Sequence, residues 1–149
     1  MKIGELAERS GCLVETIRYY ERIGLLMPPE RSSNNYRTYN EQHSERLLFV
    51  RHCRALDMTL DEIRVLLDFR DHPEQNCVGV NELLDKHIVH VVERLAALSA
   101  LEAQLRNLRS LCLTTDSASS CEILHALGTE TPRDLSKAGV HGQAVDVSR

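Results

Sequence analysis

Residues 81–112 read NELLDKHIVHVVERLAALSALEAQLRNLRSLC. Apolar residues recur here at steps of three and four without an intervening Gly or Pro, which predicts one long α-helix with a heptad stripe. Such a helix is about 48 Å long, and so small a chain cannot bury it. The pattern predicts a homodimer through this helix, a helix folded back on its own domain being the alternative. The stripe consists of Leu84, Ile88, Val91, Leu95, Leu98, Leu101, Leu105, Leu108 and Cys112.

Two short helices are predicted near the N-terminus, on either side of Ser10-Gly11. The first covers 2–9, and the second runs from Val14 to Gly24, where Pro28-Pro29 forbids any continuation. Two such helices around a glycine turn predict a helix-turn-helix.

A turn signal and alternating residues follow in 30–39, ERSSNNYRTY, and they predict a small β-hairpin or wing. Helical spacing returns over 41–55. Thr59 and Glu62 form a capping-box signature for a further helix that ends near His72. We therefore predict the order helix, helix, wing, helix, helix for the segment before the long helix.

Charge is unevenly distributed along this chain of net charge −4. Residues 16–54 carry seven Arg against four Glu, whereas residues 73–149 carry a local charge of −3. A basic front on an acidic chain is compatible with DNA binding. The sequence has no phosphate-binding Gly loop, no H-E-x-x-H and no nucleophile elbow, so we expect no enzyme.

The cellular location is predicted from two features of the sequence. No apolar run approaches about 18 residues, so no membrane span is expected. The N-terminus, MKIGELAERSG, lacks the apolar segment of a signal peptide, and we expect a cytoplasmic protein.

The five cysteines fall into two groups. Cys12 and Cys53 lie within helical patterns and are predicted to be small buried hydrophobes. Cys77, Cys112 and Cys121 lie in or beside loops at the two ends of the long helix. In an antiparallel dimer the start of one helix lies against the end of the other. Cys77 of one chain could then join Cys112 and Cys121 of its partner.

Three thiolates favour thiophilic ions, whereas structural zinc generally takes four ligands. No second Cys follows Cys112 and residues 113–120 contain no His, so the set suits Pb(II), Hg(II) or Cd(II) better than Zn(II). Asp116 or a water is the candidate for a fourth contact. His87 and His90, at i and i+3 on the long helix, are candidates for a second metal site with His141, or else solvated surface residues.

Four blocks of this sequence, taken in order, resemble the MerR family of metal-responsive transcription regulators, over roughly residues 1–127. The closest likeness is to the cadmium- and lead-responsive branch, through DMTLDEI, the loop NCVGVN with Cys77, and the pair Cys112 and Cys121. Mercury regulators are similar in their cysteine pattern. Zinc regulators carry a doubled Cys at 112–113 and a His in the following loop, which this chain lacks. The blocks are IGELAERSG (3–11), VETIRYYERIGLL (14–26), NYRTY (35–39) and RHCRALDMTLDEIRVLL (51–67).

The resemblance implies a mainly α fold. A winged helix-turn-helix DNA-binding domain would cover 1–72, a linker and long antiparallel dimerisation helix 73–112, and a metal-binding loop with a short helix 113–127. Residues 128–149 are expected to form a mobile tail. The resemblance also implies a metal site of Cys77, Cys112 and Cys121, with Cd(II) or Pb(II) as inducer and Hg(II) or Zn(II) as further candidates.

A mechanism comes with the resemblance. The dimer would bind a palindrome in double-stranded promoter DNA whose spacer is too long for RNA polymerase. It would repress without metal, and it would bend and untwist the DNA when metal binds.

The implied DNA contacts lie on the second helix and on the wing. Arg18 is the best candidate for base readout, because Arg pairs bidentately with guanine. Packing in the domain core is the alternative for Tyr20 and Tyr39. The full set is Thr16, Arg18 and Tyr19 in the major groove, Tyr20 at the backbone, and Tyr36, Arg37 and Tyr39 at phosphates.

A mercury-responsive regulator of the same family and a thiolate metal-buffering protein with weak DNA binding are the alternatives. A regulator of organic ligands would need a large C-terminal pocket domain, for which this chain is too short.

Overall fold

The computed structural model describes residues 1–113 and 115–129. The chain divides into two units, Met1–Leu83 and a second that begins at Leu84. Among the residues described, no helix is both long and apolar enough to cross a membrane.

The first unit has the predicted order of helix, helix, wing, helix, helix. Its two short strands pair antiparallel, with Glu30 opposite Thr38 and Arg31 opposite Arg37. This order confirms the winged helix-turn-helix. The elements are α1 (Ile3–Ser10), α2 (Val14–Arg22), β1 (Glu30–Arg31), β2 (Arg37–Thr38), α3 (Glu41–Ala55) and α4 (Leu60–Asp71).

The turn between α1 and α2 forms at Gly11, as predicted. Gly11 has φ 66°, and its backbone closes α1 with hydrogen bonds to the carbonyls of Ala7 and Glu8. This left-handed conformation is accessible to Gly without the strain that a Cβ would add. The fully buried Leu6 and Ile17 then hold the two helices on a common core.

That core is built from the four helices α1 to α4 and the segments that connect them. Tyr39, directly after β2, belongs to it, so the wing is tied to the helices. Because α2 contributes only Ile17 and Tyr20 to the buried set, its other faces remain available. The core consists of Leu6, Ile17, Tyr20, Leu25, Leu26, Tyr39, Leu47, Val50, Cys53, Met58, Ile63 and Leu67.

Both later helices of the unit begin with a capping box. The predicted one is confirmed: the Thr59 side chain accepts from the Glu62 amide at 3.1 Å, and Glu62 accepts from the Thr59 amide at 3.0 Å. Asn40 and His43 form the other, at the start of α3. Each satisfies amides that the first turn of a helix leaves without partners.

The long helix α5 covers Val78–Ser110. It begins three residues before the predicted start at Asn81 and ends two residues before Cys112. The earlier start has a local cause, because the Asn76 side chain accepts from the Val78 amide at 3.1 Å and the Cys77 carbonyl accepts from the Asn81 amide at 3.0 Å. These bonds close a first turn that contains Gly79.

The heptad stripe is uncovered in the described part of the single chain. Seven of its residues in the second unit are between 39% and 67% exposed. An apolar stripe of this length is unusual on a surface that meets only water. The seven are Leu84, Ile88, Val91, Leu95, Leu98, Leu101 and Leu105.

A short 3₁₀ turn, Ala118–Ser120, leads into α6 (Glu122–Thr129). The helix continues two residues beyond the predicted boundary at 127, and the Thr129 hydroxyl donates to the His125 carbonyl at 2.8 Å. Gly128 and Thr129 are therefore helical rather than part of the predicted tail. The rest of that tail, 130–149, lies outside the described residues.

Candidate nucleic-acid interface and metal centre

Helix α2 presents the predicted reading residues on its outer faces. Ile17 and Tyr20 are buried, whereas Arg18 and Tyr19 are exposed and Thr16 is half-buried. Within residues 1–113 and 115–129, no hydrogen bond or ion pair engages the Arg18 guanidinium. Its five donors are therefore available to an outside acceptor such as a base edge.

The wing lies beside α2 and encloses a basic cleft with it. Arg18, Arg22, Arg31 and Arg37 line this cleft, with Glu21 as its acidic member. Sequence reasoning missed Arg22 and Arg31 as site residues. The signal was present in the arginine count of 16–54 and in the i, i+4 spacing of Arg18 and Arg22.

Two of these arginines are oriented by neighbours. The Arg22 guanidinium lies 5.6 Å from the centre of the Tyr19 ring, a cation–π distance. Arg31 donates to the Asn35 side chain at 3.0 Å across the hairpin. Tyr36, 70% exposed, extends from the same hairpin. The elements that form this positively charged cleft thus also carry exposed aromatic rings, a combination typical of nucleic-acid-binding surfaces.

The structure places Tyr20 and Tyr39 in the core instead of on this surface. Tyr39 is 3% exposed, and its hydroxyl donates to Glu21 at 2.6 Å. Burial, followed by the hydrogen bond to Glu21 and the charge of Glu21, raises the pKa of Tyr39 to about 12. Burial also raises the pKa of Tyr20. The burial of both rings favours the packing alternative, and the DNA contacts at Tyr20 and Tyr39 stay predictions.

Cys112 and Cys121 meet in the second unit. Both are half-buried, and they are close enough for Cys112 to influence the pKa of Cys121. Cys121 directly precedes α6, and its pKa is lowered, first by the Leu124 amide and then by the Ile123 amide and Cys112. A thiol at a helix N-terminus is more readily ionised, and the thiolate is the form that binds metals.

The other predicted metal ligand, Cys77, lies in the first unit and is exposed at the start of α5. The structure thus brings two of the three predicted ligands together within one chain. Cys53 is buried and its pKa is raised by burial, as expected of a core thiol. Cys12 is half-buried against the same core.

The two candidate histidines differ in their surroundings. His87 is buried and His90 is exposed, although both lie on α5. Residues 1–113 and 115–129 of one chain contain no group of three His, Cys, Asp or Glu side chains that could hold a metal ion. The proposed third ligand, His141, lies outside the described residues.

The sequence matches two descriptions of one protein family. "MerR HTH family regulatory protein" matches residues 1–69, and "MerR, DNA binding" matches residues 44–108. The HTH-type transcriptional regulator ZntR homolog of Haemophilus influenzae is 47% identical over 78% of this chain and 86% of its own. The mercuric resistance operon regulatory protein of Bacillus cereus is 36% identical over 85% of this chain and 96% of its own.

A solved structure is also similar to this chain. The crystal structure of the transcription regulator PbrR691 from Ralstonia metallidurans CH34, in complex with lead(II), has a TM-score of 0.77 and 51% sequence identity. The match covers 85% of this chain and 98% of that one. With its helix-turn-helix, its wing and the long α5, the chain belongs to the MerR family of helix-turn-helix transcription regulators.

Proposed function

We propose that this chain is a homodimeric, metal-responsive regulator of promoter DNA. Its inducer is Cd(II) or Pb(II), held by Cys77 of one protomer and by Cys112 and Cys121 of its partner. The protein acts in the cytoplasm, where promoter DNA and RNA polymerase lie, and it acts as a regulator rather than as an enzyme.

The observation that carries this proposal is the distribution of the three thiols. Cys112 and Cys121 are neighbours beyond one end of α5, and Cys77 precedes its other end. A helix of 33 residues is about 50 Å long. One straight helix therefore keeps Cys77 away from Cys112, whereas two antiparallel helices bring the ends together.

The apolar stripe of α5 supports the dimer that this site requires. Seven stripe residues are exposed in the single chain, at heptad spacing. A second copy of the helix buries them by the packing that such spacing favours. The same interface creates two equivalent metal sites, because a twofold axis repeats every contact.

The chemistry of the ligands supports a large, thiophilic ion. Three thiolates with no second Cys after Cys112 suit Cd(II) and Pb(II), and the related PbrR691 was solved with lead(II). Hg(II) is the alternative, since a mercuric resistance regulator is 36% identical. Zn(II) requires a fourth ligand, for which Asp116, exposed in the loop, is the candidate.

The DNA-facing surface consists of α2 and the wing. Arg18 would read a base edge, with Thr16 and Tyr19 beside it in the major groove. Arg37 and Tyr36 would grip phosphates, and Arg22 and Arg31 add charge to the same cleft. The metal acts as a switch: the apo dimer represses, and the loaded dimer distorts the promoter so that RNA polymerase can use it.

A metal titration tests the site. Cd(II) or Pb(II) is added to reduced, metal-free protein while the thiolate-to-metal charge-transfer absorbance is followed. We expect saturation at two ions per dimer and loss of the band in Cys77→Ser, Cys112→Ser and Cys121→Ser. Cys12→Ser, which removes a thiol outside the proposed site, is the control and should keep the band. A band that survives all three site changes would reject the shared site.

The second candidate function is a metal-buffering protein with weak DNA binding, which the same thiols would serve. Selection of binding sites from a random duplex pool separates the two. A regulator enriches a palindromic sequence, and Arg18→Ala loses that enrichment. A protein that binds Cd(II) but enriches no sequence would be a buffer.

A further inference from the structure

The loop that follows α2 is held by two arginines from other helices. Arg46 of α3 donates through Nε to the Leu25 carbonyl at 2.8 Å, and Arg64 of α4 donates to the Ile23 carbonyl at 2.8 Å. Gly24 between them has φ 76°. The loop follows α2 directly, so the positions of its carbonyls are linked to the position of α2.

Arg46 makes a second contact at the same time. Its Nη1 donates to both carboxylate oxygens of Asp71, at 2.8 and 3.0 Å. The Arg46 side chain is 17% exposed. Because a guanidinium is planar and rigid, one side chain fixes the distance between the end of α4 and the loop behind α2.

The end of α4 also contacts the start of α5. A methyl group added to Gly79 would overlap the Phe69 ring, so this ring lies directly against the Gly79 backbone. Gly79 is two residues after Cys77, and Phe69 is two residues before Asp71. The last turn of α4 therefore touches both the neighbourhood of the proposed metal ligand and the Arg46 bridge.

We propose that Arg46 is a positioning residue that couples the end of α4 to α2, the helix proposed to contact DNA bases. A shift of the first turn of α5 on metal binding is passed by Phe69 to the last turn of α4. Asp71 and Arg46 then carry it to Leu25 and α2. This inference rests on the proposed function and concerns how that same metal site is read out.

A neighbouring ion pair supplies a matched control. Glu45 and Arg70 join the same two helices at 3.7 Å, one residue away from Arg46 and from Asp71. Their side chains are 59% and 40% exposed. An exposed pair of this kind contributes little stability. Glu45→Gln therefore removes a bridge between α3 and α4 whose two side chains make no hydrogen bond or ion pair with the described loop behind α2.

The test uses the full-length dimer and a duplex recovered by binding-site selection, labelled at both ends for energy transfer. The change of energy transfer on adding Cd(II) gives the equilibrium constant between the two DNA shapes. Asp71→Asn removes the carboxylate but keeps the hydrogen bond from Arg46 to the Leu25 carbonyl. Arg46→Lys keeps the positive charge but loses the planar guanidinium that makes both contacts. We expect each variant to decrease this equilibrium constant by a factor of about 2 to about 30. Cd(II) stoichiometry and duplex affinity should remain those of the wild type.

Two further measurements decide the outcome. The double variant should be no worse than the worse single variant, because both changes break one link. Glu45→Gln should respond as the wild type does. The inference would be overturned if the variants lost thermal stability but kept the full response to Cd(II). It would also be overturned if the effects of the two changes on the equilibrium constant were additive in the double variant. A wild-type dimer that leaves the duplex unchanged with Cd(II) would reject the proposed function itself, and the inference with it.

Discussion

At the scale of the residue, burial separates the side chains that are proposed to contact DNA from those that pack in the core. On α2, Ile17 and Tyr20 are buried while Arg18 and Tyr19 are exposed. The helical period made Arg18 predictable as a surface residue. The burial of Tyr39 was not predictable in this way, because a tyrosine carries both an apolar ring and a polar hydroxyl. Its position depends on a partner that is distant in sequence. That partner is Glu21.

Arg18→Ala should weaken binding to the selected duplex by about 1–3 kcal/mol and relax the preference at one base position. The physical reason is the loss of a bidentate donor to a base edge. Duplex affinity and a repeated site selection measure both effects. Arg37→Ala, in the wing, should instead weaken all duplexes alike and lower the salt dependence. Unchanged affinity and preference in Arg18→Ala would remove it from the reading surface.

Tyr39→Phe should change how stability depends on alkaline pH. The unfolded chain loses the tyrosine proton near pH 10, whereas the folded chain keeps it until about pH 12. Between these values the folded state binds more protons, so the contribution of Tyr39 is full below pH 10 and is lost as pH rises.

Denaturant unfolding from pH 9 to 12 measures this contribution. The stability advantage of the wild type over Tyr39→Phe should shrink by on the order of 1–2 kcal/mol across the window. Tyr36→Phe, at an exposed ring, is the control. An advantage that stays constant with pH would mean that burial and Glu21 do not raise the pKa of the Tyr39 hydroxyl.

At the scale of the element, helix ends followed from local residue chemistry. Gly11 ends α1, and Thr59 with Glu62 starts α4, as the sequence predicted. The start of α5 was predicted three residues late. Gly79 has poor helix propensity, and the neighbouring sequence does not predict that the Phe69 ring packs against its backbone. This contact therefore adds to the local hydrogen bonds of Asn76 and Cys77 at this end of the helix.

Gly79→Ala tests that contact. Helix propensity alone would stabilise the chain by about 1 kcal/mol. A methyl group here overlaps the Phe69 ring, and overpacking of this kind costs about 1–3 kcal/mol. We expect the clash to dominate and the free energy of unfolding to fall.

Gly4→Ala is the matched control, because nothing lies within 4 Å of its added methyl group. This change should be neutral or stabilising. Thermal unfolding of both variants measures the difference. A Gly79→Ala protein as stable as Gly4→Ala would show that Phe69 does not press on α5.

At the scale of the whole molecule, one chain is incomplete. The heptad stripe predicted a partner helix, and its residues are exposed in the second unit. The complete metal site could not be derived from contacts within one chain, because two proposed ligands meet in the second unit and the third lies in the first. Spacing along one sequence gives no distance between two chains.

Leu95→Glu should break the dimer. This residue is 67% exposed in the single chain, and we place it in the helix interface, where an unpaired carboxylate costs several kcal/mol. Sedimentation should show a monomer, and Cd(II) absorbance should be lost with it. Ala103→Glu adds the same charge off the stripe and should stay dimeric. A Leu95→Glu protein that remains a dimer with full Cd(II) binding would place the interface elsewhere.

The measurement that tests the shared site most directly is complementation between two inactive chains. A Cys77→Ser chain is unfolded and refolded together with a chain that carries Cys112→Ser and Cys121→Ser, and the mixed dimer is isolated by two tags. Neither homodimer has an intact site, whereas the mixed dimer has one site with all three thiols. We predict that it binds one Cd(II) ion with the charge-transfer band of the wild type. A mixed dimer without that band would contradict a site built across the two protomers.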